Sequence, residues 1–370
     1  MVCQRCNMLR VVTLVVMLLS LTVSMVGAQT GAALTFMGQA RFETGTTFED
    51  TQVGGLSGLE YISLLDTYIA LSDDHGADVQ VRMYELAIDL SDGMLADGDV
   101  VLTNVTTLLN AEGLPFAGEQ VDPEAIRFDP TSLTLYWASE GNANDLIAPS
   151  VREMTFNGRF VRELSAPSMF LPTVDQTSGV RPNRAFESLS LSHDGNKLFT
   201  ATENALNQDG PRASVVDRSP SRILEFDKAT GIAERQFIYV TDTVAPPLIP
   251  MDQDTNGLVA MLAVSDTQFI MVERVISFGP GFVIKLYLGD IANATDVSAL
   301  DSIAGQDIQV VEKQLLLDLT TLGLTLDNIE AITFGPVLPN GERSLILVSD
   351  NNFQELQVTQ FLAFRVTGEF

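Results

Sequence analysis

The sequence predicts an all-β protein and, within that class, a β-propeller of five four-stranded blades. Three observations predict it. A repeat of about 68 residues recurs five times, each repeat contains short strand-like segments separated by turns, and neither a long amphipathic helical period nor a heptad pattern is present. Four antiparallel strands per repeat are typical of a propeller blade. Six blades is the alternative count, if the longer loops contain further strands.

Each repeat opens with a short strand that carries a small or acidic residue. After a turn, the chain enters a second, apolar strand that ends in acidic or polar residues. The five copies align on Gly58, Glu124, Glu187, Ala260 and Glu330. The second strand is apolar on both faces, as expected for a strand packed between neighbouring blades. Two further strand-like segments complete each blade.

The last repeat is one strand short, because a single strand-like segment, residues 358–366, follows its paired core. We expect the N-terminal segment, residues 33–42, to supply the missing strand and close the ring, since an open ring leaves sheet edges exposed.

The N-terminal residues have the pattern of a secretory signal peptide. Arg5 and Arg10 form a basic region, residues 11–23 are apolar, and small residues follow. We predict a signal peptide over residues 1–28 and a single domain over residues 29–370, in a secreted or periplasmic location. The apolar run is shorter than the ~20 residues needed to cross a bilayer, so an uncleaved anchor is the weaker alternative. Both cysteines precede this run, which excludes disulfides and thiolate metal sites in the mature chain.

Charge excludes two classes of partner. The chain has 21 basic and 48 acidic residues and a net charge of −27, whereas nucleic acids and anionic membranes are bound through an excess of Lys and Arg. The hydrophobic content of 46% argues against disorder. We expect a folded, acidic monomer that contacts neither nucleic acid nor, after signal cleavage, a membrane.

Carboxylates recur at equivalent positions of the repeats. Because the innermost strands of a propeller line its axis, Glu124, Glu187 and Glu330 should converge. The ends of the second strands add Asp73, Asp74, Glu140, Glu203, Glu273, Asp350 and Asn351. Crowded carboxylates require protons or cations, and oxygen ligands with only two His in the chain suit calcium better than zinc. The alternative is that these acids are structural and accept backbone N–H bonds at blade junctions.

Two arginines accompany these acids. Arg181 lies in a predicted loop before Glu187, and Arg274 directly follows Glu273. Each forms a salt bridge or awaits an anionic group such as phosphate. The G-x-S-x-G, P-loop and G-x-G-x-x-G motifs are absent, so a serine hydrolase of the α/β class and a nucleotide-binding domain are unsupported.

Short motifs at the strand ends carry a resemblance to known proteins. They are GLSGL (55–59), ALSDD (70–74), DPEAI (122–126), WASEG (137–141), RPN (181–183), FESL (186–189), TEN (202–204), DNIE (327–330) and VSDNN (348–352). As a set they resemble the phytase-like family, described by an esterase-like activity. The resemblance implies carboxylates that hold calcium, which in turn holds phosphate. The positions it carries over are Asp122, Glu124, Glu140, Arg181, Asn183, Glu187, Glu203, Glu330, Asp350 and Asn351. The fourth repeat departs from the family pattern, because Ala260 stands where an acidic residue is common.

These observations predict an exported hydrolase that uses calcium to act on a small phosphorylated substrate. Glu124, Glu187 and Glu330 are the expected catalytic ligands, with Arg181 or Arg274 stabilising the developing charge. The alternative is a non-catalytic propeller that calcium stabilises and that binds another ligand or a protein partner. A carbohydrate-active propeller is disfavoured, because only 7% of the residues are aromatic.

Overall fold

The computed structural model describes residues 31–74, 80–244, 246–249, 251, 254–279 and 281–370. The predicted signal peptide, residues 1–28, lies outside these ranges. Within them, no helix combines the length and the apolar character that a membrane crossing requires.

The described residues form five four-stranded antiparallel sheets, which confirms the five-bladed propeller. The chain begins with β1 (Ala33–Glu43) and a small hairpin, β2 (Thr47–Phe48) and β3 (Thr51–Gln52). The first blade consists of β4 (Leu56–Ile62), β5 (Thr67–Ser72), β6 (Arg82–Ile88) and β7 (Val100–Thr107). The second consists of β8 (Pro123–Asp129), β9 (Thr134–Ser139), β10 (Ser150–Met154) and β11 (Phe160–Ser165).

The other three blades repeat this order. The third consists of β12 (Phe186–Leu191), β13 (Lys197–Thr202), β14 (Pro220–Asp227) and β15 (Ala233–Val240). The fourth consists of β16 (Thr255–Ala263), β17 (Gln268–Ser277), β18 (Gly281–Asp290) and β19 (Glu312–Asp318). The fifth contains β20 (Asn328–Val337), β21 (Arg343–Asp350) and β22 (Val358–Thr367), with two short 3-10 helices elsewhere, Ser168–Phe170 and Leu319–Leu322.

The N-terminal strand closes the ring. β1 pairs antiparallel with β22, from Ala33 opposite Thr367 to Glu43 opposite Val358, and becomes the outer strand of the fifth blade. The sequence prediction for residues 33–42 is thereby confirmed. Pairing the first strand with the last covers an edge of β22 that would otherwise be exposed.

The innermost strands surround a common axis. β4 contacts β8, β8 contacts β12, and the series continues through β16 and β20 back to β4. The five largest clusters of buried apolar residues lie one at each blade junction. Between the third and fourth blades, for example, the Phe199 and Phe269 ring centroids are 4.9 Å apart. Burial of these side chains between sheets, which removes their apolar area from water, holds the blades together.

Arg127 crosses the axis part of the way along it. Its Nη1 atom donates to the carbonyl oxygens of Leu59 and Ile126, and its Nη2 atom donates to those of Met261 and Ile332. The axial edge of an innermost strand has no neighbouring strand, so its carbonyls need such a donor. Arg127 lines an axial cavity that is separate from the cavity lined by the carboxylates described below.

Candidate functional site

Every innermost strand contains a β-bulge at the same place in its blade. The ladder skips one residue of the inner strand, for example between Pro123 and Ala125 opposite Ser139 and Ala138. The five bulged residues are Ser57, Glu124, Glu187, Val259 and Glu330. A bulge re-aims the side chain that it carries, and here it turns three glutamates towards the axis. The sequence alignment on Gly58 and Ala260 was therefore off by one residue in the first and fourth blades, because a bulge cannot be read from composition.

The neighbouring positions on the second strands form another ring. In each blade, the inner-strand residue before the bulge has a ladder partner on the second strand, and the residue after that partner is acidic in four blades and basic in one. These five residues are Asp73, Glu140, Glu203, Arg274 and Asp350. The fourth blade is thus the one that departs from the acidic pattern at both positions, with Val259 in place of a glutamate and Arg274 in place of an acid, whereas the first blade departs only at Ser57. The fourth blade contributes the positive charge of the two rings.

The two rings enclose an axial cavity of about 510 Å³ at one end of the propeller. Its charged lining consists of Asp73, Asp122, Glu124, Glu187, Glu330, Asp350, Arg184 and Arg274. Glu140 and Glu203 lie behind this lining and are buried. Glu140 Oε1 accepts a hydrogen bond of 2.6 Å from the Ala185 amide. The structure therefore brings the three predicted glutamates and Arg274 together.

Arg274 is held by carboxylates from two other blades. Its Nη2 atom donates to Glu203 Oε1 over 2.9 Å, and its Nη1 atom donates to Glu330 Oε1 over 2.9 Å. Arg184 Nη1 approaches the other oxygen of Glu203 to 3.2 Å. Gly257 makes room for Glu203, since a Cβ atom there would lie 2.1 Å from Glu203 Oε1.

The carboxylates of the cavity affect one another's protonation. Burial, followed by the charge of Glu187, raises the pKa of Glu124 well above its usual range. Burial, followed by Glu330, does the same to the pKa of Asp73. Burial and Asp122 raise the pKa of Glu140 from 4.5 to about 8. Burial disfavours the Arg274 cation, but the Glu330 and Glu203 carboxylates outweigh it and raise the pKa of the guanidinium. Glu140 therefore retains its proton at neutral pH, and the raised pKa values of Glu124 and Asp73 favour their protonated forms unless a cation replaces the proton.

Buried polar atoms of the cavity residues Thr255 and Arg274 have no hydrogen-bond partner within the described ranges. They are the Oγ1 atom of Thr255 and the Nε atom of Arg274. Buried polar groups are normally paired, so these atoms are available to a ligand. A donor set that consists of oxygen atoms fits calcium by its chemistry. Among the described residues, no three acidic, His or Cys side chains are already converged as a metal cage, so side chains would rotate to bind a cation.

Besides Glu140 and Glu203, four predicted site residues lie outside the lining of this cavity. Arg181 donates to the carbonyl oxygens of Ala205 and Gly210 over 3.0 and 2.7 Å, which ties two loops together. Asp74 pairs with Arg82 Nη1 at 2.8 Å.

The other two, Asn351 and Glu273, accept hydrogen bonds outside this cavity. The Oδ1 atom of Asn351 accepts from the amides of Gly55 and Phe353. Glu273 accepts from Tyr239 Oη, the Asp242 amide and Asn256 Nδ2, and lines a separate cavity of about 280 Å³. It precedes Arg274 by one residue, and successive side chains of a strand point to opposite faces.

Sequence reasoning missed three contributors to the site. Ser57, which donates to Glu330 Oε2 over 3.2 Å, was hidden by the misplaced register. Arg184 lies three residues after Arg181 in the loop before Glu187, and nothing in the sequence favours it over Arg181. Thr255 carries no signal in the sequence, since it begins an innermost strand between two other polar residues, Asp254 and Asn256.

Solved structures that match this chain include the periplasmic gluconolactonase of Pseudomonas aeruginosa. It is 14% identical, with a TM-score of 0.36 over 86% of this chain and 87% of that one. The hydrazine synthase of Kuenenia stuttgartiensis is 12% identical, with a TM-score of 0.37 over 84% of this chain and 82% of that one.

A relative by sequence is an uncharacterized secreted protein of Arthroderma benhamiae, 24% identical over 184 residues. The match covers 42% of this chain and 34% of that relative, so the chain spans about a third of the relative's length. The family model for phytase-like proteins, described as having the esterase-like activity of phytase, matches residues 51–353. The chain therefore belongs to the phytase-like family.

Proposed function

We propose that the protein is an exported hydrolase of phosphate esters that works with bound calcium in the axial cavity. The observation that carries this proposal is the pairing of a dense set of carboxylates with one arginine that keeps an unused donor. Arg274 Nε is buried in the cavity wall without a hydrogen-bond partner among the described residues, although both Nη atoms are engaged.

The charge of the cavity supports the requirement for a cation. Six carboxylates and two arginines line it. A phosphate ester that approached this lining alone would be repelled, because like charges in a partly desolvated site interact strongly. Glu124, Glu187, Asp73 and Asp350 would hold the cation, since no basic side chain within the described ranges forms a salt bridge with any of them. A bound calcium ion would supply Lewis-acid polarisation of the phosphoryl group and a more acidic water molecule.

The residues of the chain would position the ester. Arg274 Nε and the Thr255 hydroxyl, which have no hydrogen-bond partner among the described residues, can each donate a hydrogen bond to one phosphoryl oxygen. Arg184 brings a further positive charge to the lining. The sequence suggested that Arg181 stabilises the charge that develops on the phosphoryl group. Because Arg181 already donates to two carbonyl oxygens, we assign this role to Arg184. Donors that are already in place where charge develops stabilise the transition state without reorganisation.

A non-catalytic propeller stabilised by calcium is the second candidate. One observation favours it: both Nη atoms of Arg274 are already occupied by carboxylates, so part of the cavity is neutralised from within. In that case calcium would raise the melting temperature and no ester would be cleaved.

The deciding experiment measures hydrolysis of 4-nitrophenyl phosphate and of inositol hexakisphosphate with calcium and then with a chelator. The wild-type protein is compared with the triple variant Glu124→Gln, Glu187→Gln, Glu330→Gln. A variant at the opposite cavity, Glu60→Gln, is the matched control, because Glu60 is also a weakly exposed carboxylate. Turnover that depends on calcium and is lost only in the triple variant supports the hydrolase. Equal rates in the wild type and the triple variant would exclude it.

Export is part of the same proposal. It is supported by the signal-peptide pattern at the N-terminus and by the secreted relative. Detection of the mature chain outside the cytoplasm, with residue 29 at its N-terminus, would test it.

A further inference from the structure

We propose that the axial cavity selects phosphate monoesters whose organic part is apolar, such as aryl or alkyl phosphates. This inference rests on the proposed function and specifies its substrate. It starts from one wall of the cavity that carries no charge. Ile276 and Phe282 face each other across the ladder of β17 and β18, and both line the cavity while remaining half-buried.

The apolar wall lies next to Arg274, whose Nε atom is buried without a hydrogen-bond partner among the described residues. Arg274 and Ile276 are two residues apart on β17, so their side chains share one face of the sheet, about 7 Å apart along the strand. The ladder partner of Arg274 is Ile284, which is fully buried. A phosphoryl group bound at Arg274 Nε would therefore place the organic part of the ester against Ile276 and Phe282.

The fourth blade is extended in the region that carries this wall. β17 has 10 residues, whereas the second strands of the other blades have 6 to 8. At the turn beyond it, Phe278 is 51% exposed, and Leu248, whose amide donates to the Phe278 carbonyl over 2.8 Å, is 79% exposed. Apolar surface thus continues from the cavity to the exposed side chains of Phe278 and Leu248 at its rim. An apolar ligand bound there would cover this surface and remove it from water.

The charges of the cavity disfavour polyphosphorylated esters. Both of its arginines, Arg184 and Arg274, are already paired with Glu203, and Arg274 is also paired with Glu330. Each additional phosphate group would bring negative charge towards six lining carboxylates without a further cation from the described chain. A single phosphate can be accommodated at one bound calcium ion, whereas several would need several ions.

The test compares three esters in the presence of calcium: 1-naphthyl phosphate, glycerol 2-phosphate and inositol hexakisphosphate. We expect kcat/KM for 1-naphthyl phosphate to exceed that for glycerol 2-phosphate about tenfold, the factor expected from partial burial of an aromatic ring. Inositol hexakisphosphate should be the poorest substrate. Phe282→Ala should raise KM for 1-naphthyl phosphate and so bring the ratio of the two kcat/KM values close to one. Phe282→Leu should keep most of the wild-type ratio. Phe334→Ala, a half-buried Phe at the opposite cavity, is the matched control and should leave the ratio unchanged.

Calorimetric binding of the same esters to the calcium-loaded protein separates this inference from the proposed function. If no ester is hydrolysed, the proposed hydrolase function is wrong. A binding preference for 1-naphthyl phosphate that Phe282→Ala removes would still support selection by the apolar wall. A wild-type ratio near one, in turnover or in binding, overturns the inference. So does a folded Phe282→Ala protein with the wild-type ratio.

Discussion

Arg274 occupies in the fourth blade the position that Glu203 occupies in the third, and its Nη2 atom donates to Glu203 Oε1 over 2.9 Å. Two equivalent positions of the repeat thus carry opposite charges and bond to each other across the blade junction. A ring of five acids at this level would have five like charges in one buried site. Replacing one of them with an arginine lowers that repulsion and leaves a guanidinium edge for a ligand.

Replacing Arg274 should lower stability and raise the affinity for calcium. In Arg274→Gln, Glu203 loses one of its two arginines while its side chain remains fully buried, which should cost about 3 kcal/mol of unfolding free energy. The same change makes the cavity more negative, so calcium should bind more tightly although hydrolysis is lost.

Urea unfolding in chelator and calcium titration by calorimetry measure the two effects. Arg365→Gln, in an ion pair whose side chains are 40% and 33% exposed, is the control and should change stability by less than about 1 kcal/mol. Unchanged stability in Arg274→Gln would contradict the role assigned to the pair.

Without divalent cations, stability should fall as pH rises from about 5 to 8. Burial and Asp122 raise the pKa of Glu140 from 4.5 in an exposed chain to about 8 in the folded protein, and the pKa of Glu124 is also raised. Between these values the folded state binds more protons than the unfolded state, so raising the pH favours unfolding. Thermal unfolding in chelator at four pH values checks this. A melting temperature that climbs over this range would show that the carboxylates are not crowded.

Calcium binding should release protons. Because burial and neighbouring carboxylates raise the pKa values of Asp73, Glu124 and Glu187, these groups favour their protonated forms, and a cation that binds them displaces the protons. Affinity should therefore increase from pH 6 to pH 8. Calorimetry in two buffers with different ionisation enthalpies measures the number of protons released. Glu60→Gln should match the wild type, and an affinity independent of pH would argue against binding at these carboxylates.

Removing the axial guanidinium should destabilise the whole ring. In Arg127→Leu, the carbonyl oxygens of Leu59, Met261 and Ile332 lose their donor in three different blades. A buried acceptor without a partner costs about 1 to 3 kcal/mol, so the loss should be at least about 3 kcal/mol.

Burial raises the pKa of Glu60 to about 7 even with Arg127 Nη1 3.6 Å away, and without Arg127 it should rise further. Chemical denaturation and titration of Glu60 followed by NMR test the two effects. A loss no larger than that of Arg365→Leu would mean that Arg127 is not a structural connection between blades.

The sequence by itself determined the architecture of this protein. Five repeats with two apolar strands each specify the blades, because a strand that is apolar on both faces must pack between two sheets. The missing strand of the last repeat and the free N-terminal segment specify the closure by β1. Repetition also placed Glu124, Glu187 and Glu330 at one end of the axis, since equivalent positions of a closed ring converge.

Only the tertiary structure decided which charges meet there. The bulges, which insert one residue into each inner strand, assigned Ser57 and Val259 to the ring and brought Arg274, not Glu273, into the cavity. Arg181 and Arg184 are three residues apart in one loop, and the direction of each side chain depends on the carbonyl oxygens and carboxylates that surround it. Local sequence does not specify those partners, because Ala205 and Gly210 lie 24 and 29 residues from Arg181 along the chain, and Glu203 lies just past the end of β13.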